Sequence, residues 1–206
     1  MAIHKCPPLE ILTLENAQQF LLYCKSFAQN DENGFSNVCY VDPDGDDATA
    51  KRGSWSRKFF TIAAALTKAQ SGDTIWLGPG TYLEKVVIPP ALDDLVIRGL
   101  DEENTLIQAA GLGDVITYAP TTPKTRIKFE KLRVFASNGS AIVVDASQSP
   151  GLSVVMVNVL AQTTSLVFAA VAVTGCALAL DGCTGLAPTG IPALSANQCL
   201  DRKSVV

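Results

Sequence analysis

The chain has 206 residues, 48% of them apolar and 17% charged, with a net charge of -4 and one histidine, His4. That is chain and apolar content enough for one sizeable core, which excludes disorder as the main description. A lone histidine near the N-terminus excludes a Ser-His-Asp triad and a His-rich zinc site, and the mildly acidic balance offers no footprint for nucleic acid.

The opening stretch Met1–Pro8 has no apolar core and no small-residue cleavage site, so no secretory signal is visible and synthesis in the cytoplasm is expected. Residues 14–29 read as a helix: Thr13 can cap it, and Ala17, Phe20, Leu21, Cys24 and Phe27 recur at helical spacing. Residues 1–37 are therefore expected to form a helical docking segment. Val38–Val41 reads as a strand, ended by Asp42-Pro43-Asp44-Gly45-Asp46-Asp47. A second helix is expected over 57–70, capped by Ser56 and stopped by Gly72, with Phe59, Ile62, Ala63, Leu66 and Ala69 on one face.

After Gly72 no helical periodicity returns. Short β-rich runs follow at Thr74–Leu77, Lys85–Ile88, Leu95–Arg98, Thr105–Gln108, Val115–Tyr118, Arg126–Phe129, Leu132–Phe135, Ala141–Asp145, Leu152–Val155, Val157–Leu160, Leu166–Val173 and Cys176–Leu180. A unit of the form apolar-x-apolar-x-x-apolar-x-apolar recurs. A shift of 25 lays Ile127, Phe129, Leu132 and Val134 on Leu152, Val154, Val157 and Val159, and a further shift of 19 reaches Val171, Val173, Cys176 and Leu178. Two strands joined by a tight corner, repeated every 20 to 25 residues, predict an all-β parallel β-helix of five to six coils over 38–185, followed by a tail at 186–206. The longest apolar run, Leu166–Leu180, is interrupted at Thr174-Gly175 and is shorter than the roughly 20 residues a membrane helix needs. The six cysteines are widely spaced without a Cys-x-x-Cys pair, so free thiols are favoured over zinc, with a disulfide among Cys176, Cys183 and Cys199 left open.

The segments Tyr40-Val41-Asp42-Pro43-Asp44-Gly45-Asp46-Asp47, Phe59–Leu66 and Ser71–Tyr82, with Leu95–Gly99 and Asn104–Ile107 after them, resemble the opening of right-handed parallel β-helix proteins of the pectate-lyase-like superfamily. The resemblance covers about residues 38–183. It implies that the helix near 57–70 caps the first coil, and it leaves function open between polysaccharide lyases or hydrolases and virion proteins such as tailspikes.

Candidate sites are few. Asp42, Asp44 and Asp46, with Asp47, could offer oxygen ligands to calcium, but Gly45 and Gly53 break the EF-hand spacing, and Asx turns explain the run without an ion. Arg126, Lys128 and Glu130 should point outward from a strand and, with Lys124, Lys131 and Arg133, form a basic patch. If the protein is an enzyme, Lys128, Glu130 and Arg133 are the candidate catalytic residues, in line with the outward Arg or Lys of the lyases it resembles. The carboxylates of Asp93-Asp94 and Asp101–Glu103 sit in turns, where adjacency says nothing of the separation glycoside hydrolysis requires. Trp55, Trp76 and Tyr82 could stack on sugars.

From Ala136 to Asn197 there is no Lys or Arg, and Asp145 and Asp181 are the sole acids. Val154–Val157 and Leu166–Val173 read as apolar on both faces of their strands, so Val155, Met156, Phe168, Ala170 and Ala172 are expected at an interface between copies. The expected function is a non-enzymatic structural or assembly protein of a virion, with capsid-associated, spike and tail roles open. It would oligomerise through its C-terminal coils, with a trimer implied by the resemblance, and dock on other virion proteins through residues 1–37. The alternatives are a polysaccharide lyase or hydrolase and a non-catalytic glycan-binding module. No cofactor and no membrane insertion are expected.

Overall fold

The computed structural model of the chain describes residues 35–109, 111–197 and 200–201. The helix expected over 14–29 and nearly all of the docking segment 1–37 lie outside the described residues. The remainder is a parallel β-helix with three sheet faces. The first face stacks β1 (Val38–Val41), β2 (Thr74–Leu77), β5 (Leu95–Arg98), the first half of β8 (Arg126–Ala136), the first half of β10 (Ser153–Thr163), β12 (Ala177–Asp181) and β15 (Leu200–Asp201). The second stacks β3 (Gly80–Leu83), β6 (Thr105–Gln108), the second halves of β8 and β10, and β13 (Thr184–Leu186). The third stacks β4 (Val86–Ile88), β7 (Ile116–Tyr118), β9 (Ile142–Asp145), β11 (Val171–Thr174) and β14 (Leu194–Asn197). Every pairing is parallel.

Alternation builds the core. Along β8 and β10 every second side chain turns inward, and Ile127, Phe129, Leu132 and Val134 stack under Val154, Met156, Val159 and Ala161. Four coils, from β2–β3–β4 to β10–β11, enclose this core. The fifth, β12–β13–β14, is the open end, and its β13 is exposed throughout. Four closed coils and an open fifth stand where five to six coils were expected, because the true spacing is longer. Ile127 pairs with Val154 and Val154 with Leu178, displacements of 27 and 24 rather than 25 and 19. The first error is two residues, and a two-residue slip returns every side chain to its own face, so the hydrophobic pattern cannot reveal it.

Two pairs of expected strands are single strands bent at one residue. Lys131 (φ 52°) and Asn158 (φ 51°) are left-handed, and Gly182 (φ 60°) occupies the same corner one coil on. A Cβ on Gly182 would lie 2.2 Å from Asn158 Oδ1, so the corner residues of adjacent coils pack directly on one another. A different correction applies to Leu166–Val173, of which only Val171 onward is strand. The hydroxyls of Thr163 and Ser165 accept backbone N–H groups from Ser165, and from Val167 and Phe168, closing a turn that removes Leu166–Phe168 from the ladder. The expected tail at 186–206 is corrected too. β14 pairs with β11 and β15 with β12, so the coil continues through the boundary at residue 185.

Helix α1 (Ile62–Lys68) is shorter than the 57–70 expected and is capped by Thr61, whose hydroxyl accepts Ala64 N–H, rather than by Ser56. Phe59 instead bridges Val41 as an extension of the first rung. Glu84 accepts the Ile62 and Ala63 N–H groups and Asp47 those of Phe60 and Thr61, so the helix start is fully satisfied. Ile62, Ala65 and Leu66 bury against β1, β2 and β4, closing the N-terminal end of the core. Beside it Asp73, 1% exposed, receives Arg52 through two bonds of 2.6 and 2.5 Å and the Gln70 N–H at 2.8 Å. Among the described residues no helix is long and apolar enough to cross a membrane.

Candidate functional site

The first face carries the polar chemistry. Its in-register stacking lines up outward side chains rung by rung: Tyr40, Trp76, Arg98, Glu130, Val157 and Asp181 form one row. Beside it runs a second row of Val38, Thr74, Val96, Lys128, Val155 and Ala179. Glu130 sits where the rows meet. It pairs with Lys128 on its own strand, and Arg98 Nε approaches its carboxylate at 3.8 Å from the rung below. Arg98 and Lys128 keep donors to spare, since Arg98 is exposed and meets Glu130 through one nitrogen.

At the N-terminal end of the row Tyr40, Trp55 and Trp76 pack on each other, with centroids 4.9 Å apart for Tyr40–Trp55 and 5.2 Å for the two tryptophans. Lys58 Nζ lies 4.3 Å from the Trp55 ring centroid. A cleft of about 370 Å³ opens beside Trp55, lined also by Asp44, Asp46, Thr49, Arg57 and Lys58. Tyr82 takes no part. It is buried, its hydroxyl donates to Gly78 O at 2.9 Å, and burial raises its pKa.

The aspartate run is a set of turns. Asp42 accepts the Asp44 N–H and pairs with Lys58 at 3.0 Å, and Asp46 accepts from Ala48 N and the Thr49 hydroxyl. Burial alone would raise the Asp42 carboxyl, but the Asp44 N–H and Lys58 together hold it below its ordinary value. Asp42 and Asp46 thus spend oxygens on separate partners, and no group of three or more ligands gathers among the described residues.

Of the three candidate catalytic residues, Lys128 and Glu130 meet and Arg133 does not join them. The left-handed corner at Lys131 carries Arg133 to the second face, where its Nη2 donates to Gln162 at 2.9 Å. The basic patch is dispersed as well: Arg126 pairs with Asp94 at 2.7 Å, and Lys124 bonds the Ala91 carbonyl. Sequence reasoning missed Arg98 and Asp181 as companions of Glu130. The signal was present in the displacements of 32 from Arg98 to Glu130 and 51 from Glu130 to Asp181, which need the correct coil length to be seen.

The expected interface set also separates. Met156 and Ala170 are corrected to core residues, 1% and 0% exposed, because they occupy inward positions of their rungs. Val155 lies on the first face and Ala172 on the third, while Phe168 is exposed in the loop before β11. Cys39 and Cys183 carry thiols, and burial, followed by the nearby Asp73, pushes Cys39 up to about 12.

No protein-family model matches the sequence, and no curated protein sequence matches it. Among solved structures, a pectin methylesterase from Erwinia chrysanthemi superposes with a TM-score of 0.53 at 15% identity, over 70% of this chain and 48% of that one. A pectin methylesterase mutant in complex with a hexasaccharide superposes with a TM-score of 0.53 at 16% identity, over 70% and 48%. The chain spans about half the length of these structures. What it shares with them is the fold, a right-handed parallel β-helix.

Proposed function

We propose that the protein binds an acidic oligosaccharide along its first face. The observation that carries this reading is the row Trp76–Arg98–Glu130 with Lys128 beside it, running from an aromatic cluster to two cations with spare donors. Rungs about 4.8 Å apart form a ladder on which a polymer lying along the solenoid axis meets a new side chain at each step. Arg98 and Lys128 offer charge-assisted hydrogen bonds to uronate carboxylates, Glu130 orients both cations, and the exposed part of Trp55 offers an apolar surface to a sugar ring. The likeness to a structure holding a hexasaccharide supports a glycan ligand. The virion setting rests on the sequence resemblance alone.

One observation favours chemistry in addition to binding. Glu130 and Asp181 share a row two rungs apart, so two carboxylates stand on one face with a single rung between them, as a two-carboxylate hydrolase requires. Titration calorimetry with oligogalacturonate and with a neutral oligosaccharide of equal length tests the proposal. The acidic ligand is expected to bind, and Arg98→Ala to weaken it roughly 10- to 100-fold, the value of a hydrogen bond to a charged group. Absence of binding, or equal affinity for the neutral ligand, overturns it. New reducing ends that vanish in Glu130→Gln would add hydrolysis to binding.

A further inference from the structure

The corner between the second and third faces gathers most of the exposed large apolar side chains of the described chain. Leu83 and Val87 flank it in the first coil and Leu112 stands on it in the second. The third contributes the half-buried Phe135. In the fourth, the turn made by Thr163 and Ser165 pushes Leu166 and Val167 out until each is 75% exposed, with Phe168 beside them. Leu186 continues the line in the last coil. The result is a greasy ridge parallel to the solenoid axis, on the side away from Arg98, Lys128 and Glu130.

Charges on the ridge are few and mostly committed. Glu84 is spent on the start of α1, and Asp114 accepts the Ser140 N–H. Lys85, beside Gly113, completes the set at the N-terminal end. From Ser137 onward neither the corner loops nor the strand residues beside them carry a charge until the end of β9, where Asp145 faces the opposite corner.

We propose that this ridge is where a second copy of the chain docks, side by side with its axis aligned. Seven exposed large apolar side chains line the ridge, five of them 65–75% exposed, and at on the order of 100 Å² each they approach the about 800 Å² per partner of a stable interface and exceed an ordinary monomer patch. A charged partner finds little to pair with here. An identical ridge matches it in length and in lack of charge, and alignment keeps the acidic surfaces of two chains of net charge -4 on the outside. The interface thus lies on a corner of the coil and not on the strand face where Val155 sits. This inference is independent of the glycan site, because the two surfaces are on opposite sides.

The experiment is light-scattering mass of the full chain over a wide range of concentration, for the natural sequence, for Leu166→Asp with Val167→Asp, and for Val155→Asp on the first face. The natural chain and Val155→Asp are expected to associate, and the ridge double variant to dissociate at least ~100-fold more readily, since removal of central apolar anchors dominates interface energetics. The loop position leaves folding of the double variant intact, which far-ultraviolet circular dichroism checks. Val87→Glu at the other end of the ridge gives a second reading. A natural chain that stays monomeric overturns the proposal, as does an oligomer indifferent to the ridge charges. A monomer whose ridge binds anionic or neutral vesicles overturns it in favour of a lipid surface.

Discussion

Met156→Ala is the perturbation that tests the inside-out assignment of the fourth coil most sharply. Met156 is 1% exposed and is stacked between Phe129 of the rung below and Leu180 of the rung above. Its neighbour Val155 points outward and is half-buried. Truncation removes about three heavy atoms, worth about 2 kcal/mol of transfer free energy at ~0.8 kcal/mol per methylene. The cavity left between two rigid rungs adds to this, for a total of about 3 kcal/mol within the range of ~2–5 kcal/mol for buried methionine. For a domain of this size that lowers the melting temperature by roughly 6–12 °C. Val155→Ala, which loses only partly buried surface, is expected to cost less than about 1 kcal/mol. Thermal melts of both variants by circular dichroism give the comparison. If Val155→Ala proves the more damaging, the strand is turned over by one residue and the register described above is wrong.

Arg52→Met strands Asp73, a carboxylate 1% exposed whose charge this guanidinium and the Gln70 N–H offset; a loss of about 3–5 kcal/mol is expected in urea titrations, and Arg52→Met combined with Asp73→Leu should lose much less. Burial would raise the Asp93 carboxyl, but N–H groups of Thr125, Arg126 and Asp94 and the Thr125 hydroxyl bring it below its ordinary value of 3.8. A folded-state value below the unfolded one means that its stabilisation is fully present above the ordinary carboxylate range and fades as the pH falls through the lowered value. Asp93→Asn should therefore melt below the natural chain at neutral pH, with the gap closing in acid; a gap that widens in acid refutes the sign.

The strands of the solenoid were legible wherever alternation was strict. Val38–Val41, Thr74–Leu77, Leu95–Arg98 and Thr105–Gln108 stand where the apolar pattern puts them, because each buries one face in the core of the coil. What alternation cannot carry is the length of a coil. Loops between faces differ in length, so the relation of Glu130 to Arg98 and Asp181 depends on residues that have no periodicity at all. Leu166–Phe168 misled for another reason. Their side chains read as strand, while the hydroxyls just before them decide the backbone. Met156 and Ala170 misled because a run apolar at every position carries no parity, so inward and outward cannot be assigned from composition. The candidate site was half visible. Lys128 and Glu130 lie two apart on one strand, which sequence resolves, whereas Arg133 is separated from them by a left-handed residue that nothing but its conformation marks.

The two corners flanking the second face obey different rules. At one, the last three coils turn at a left-handed residue (Lys131, then Asn158, then Gly182), while the second coil spends six residues (99–104) on the same corner. At the other, the connection ranges from two residues (84–85) to seven (164–170) with no disturbance to the pairing on either side. A lengthened connection bulges outward at either corner, as 99–104 and 164–170 do, but in the last three coils only the second corner is lengthened. Over those coils sequence change can therefore accumulate along the greasy edge while the ladder of the first face keeps its spacing. Two surfaces of one molecule can then change at independent rates, one free to acquire new partners and the other held to a fixed ruler.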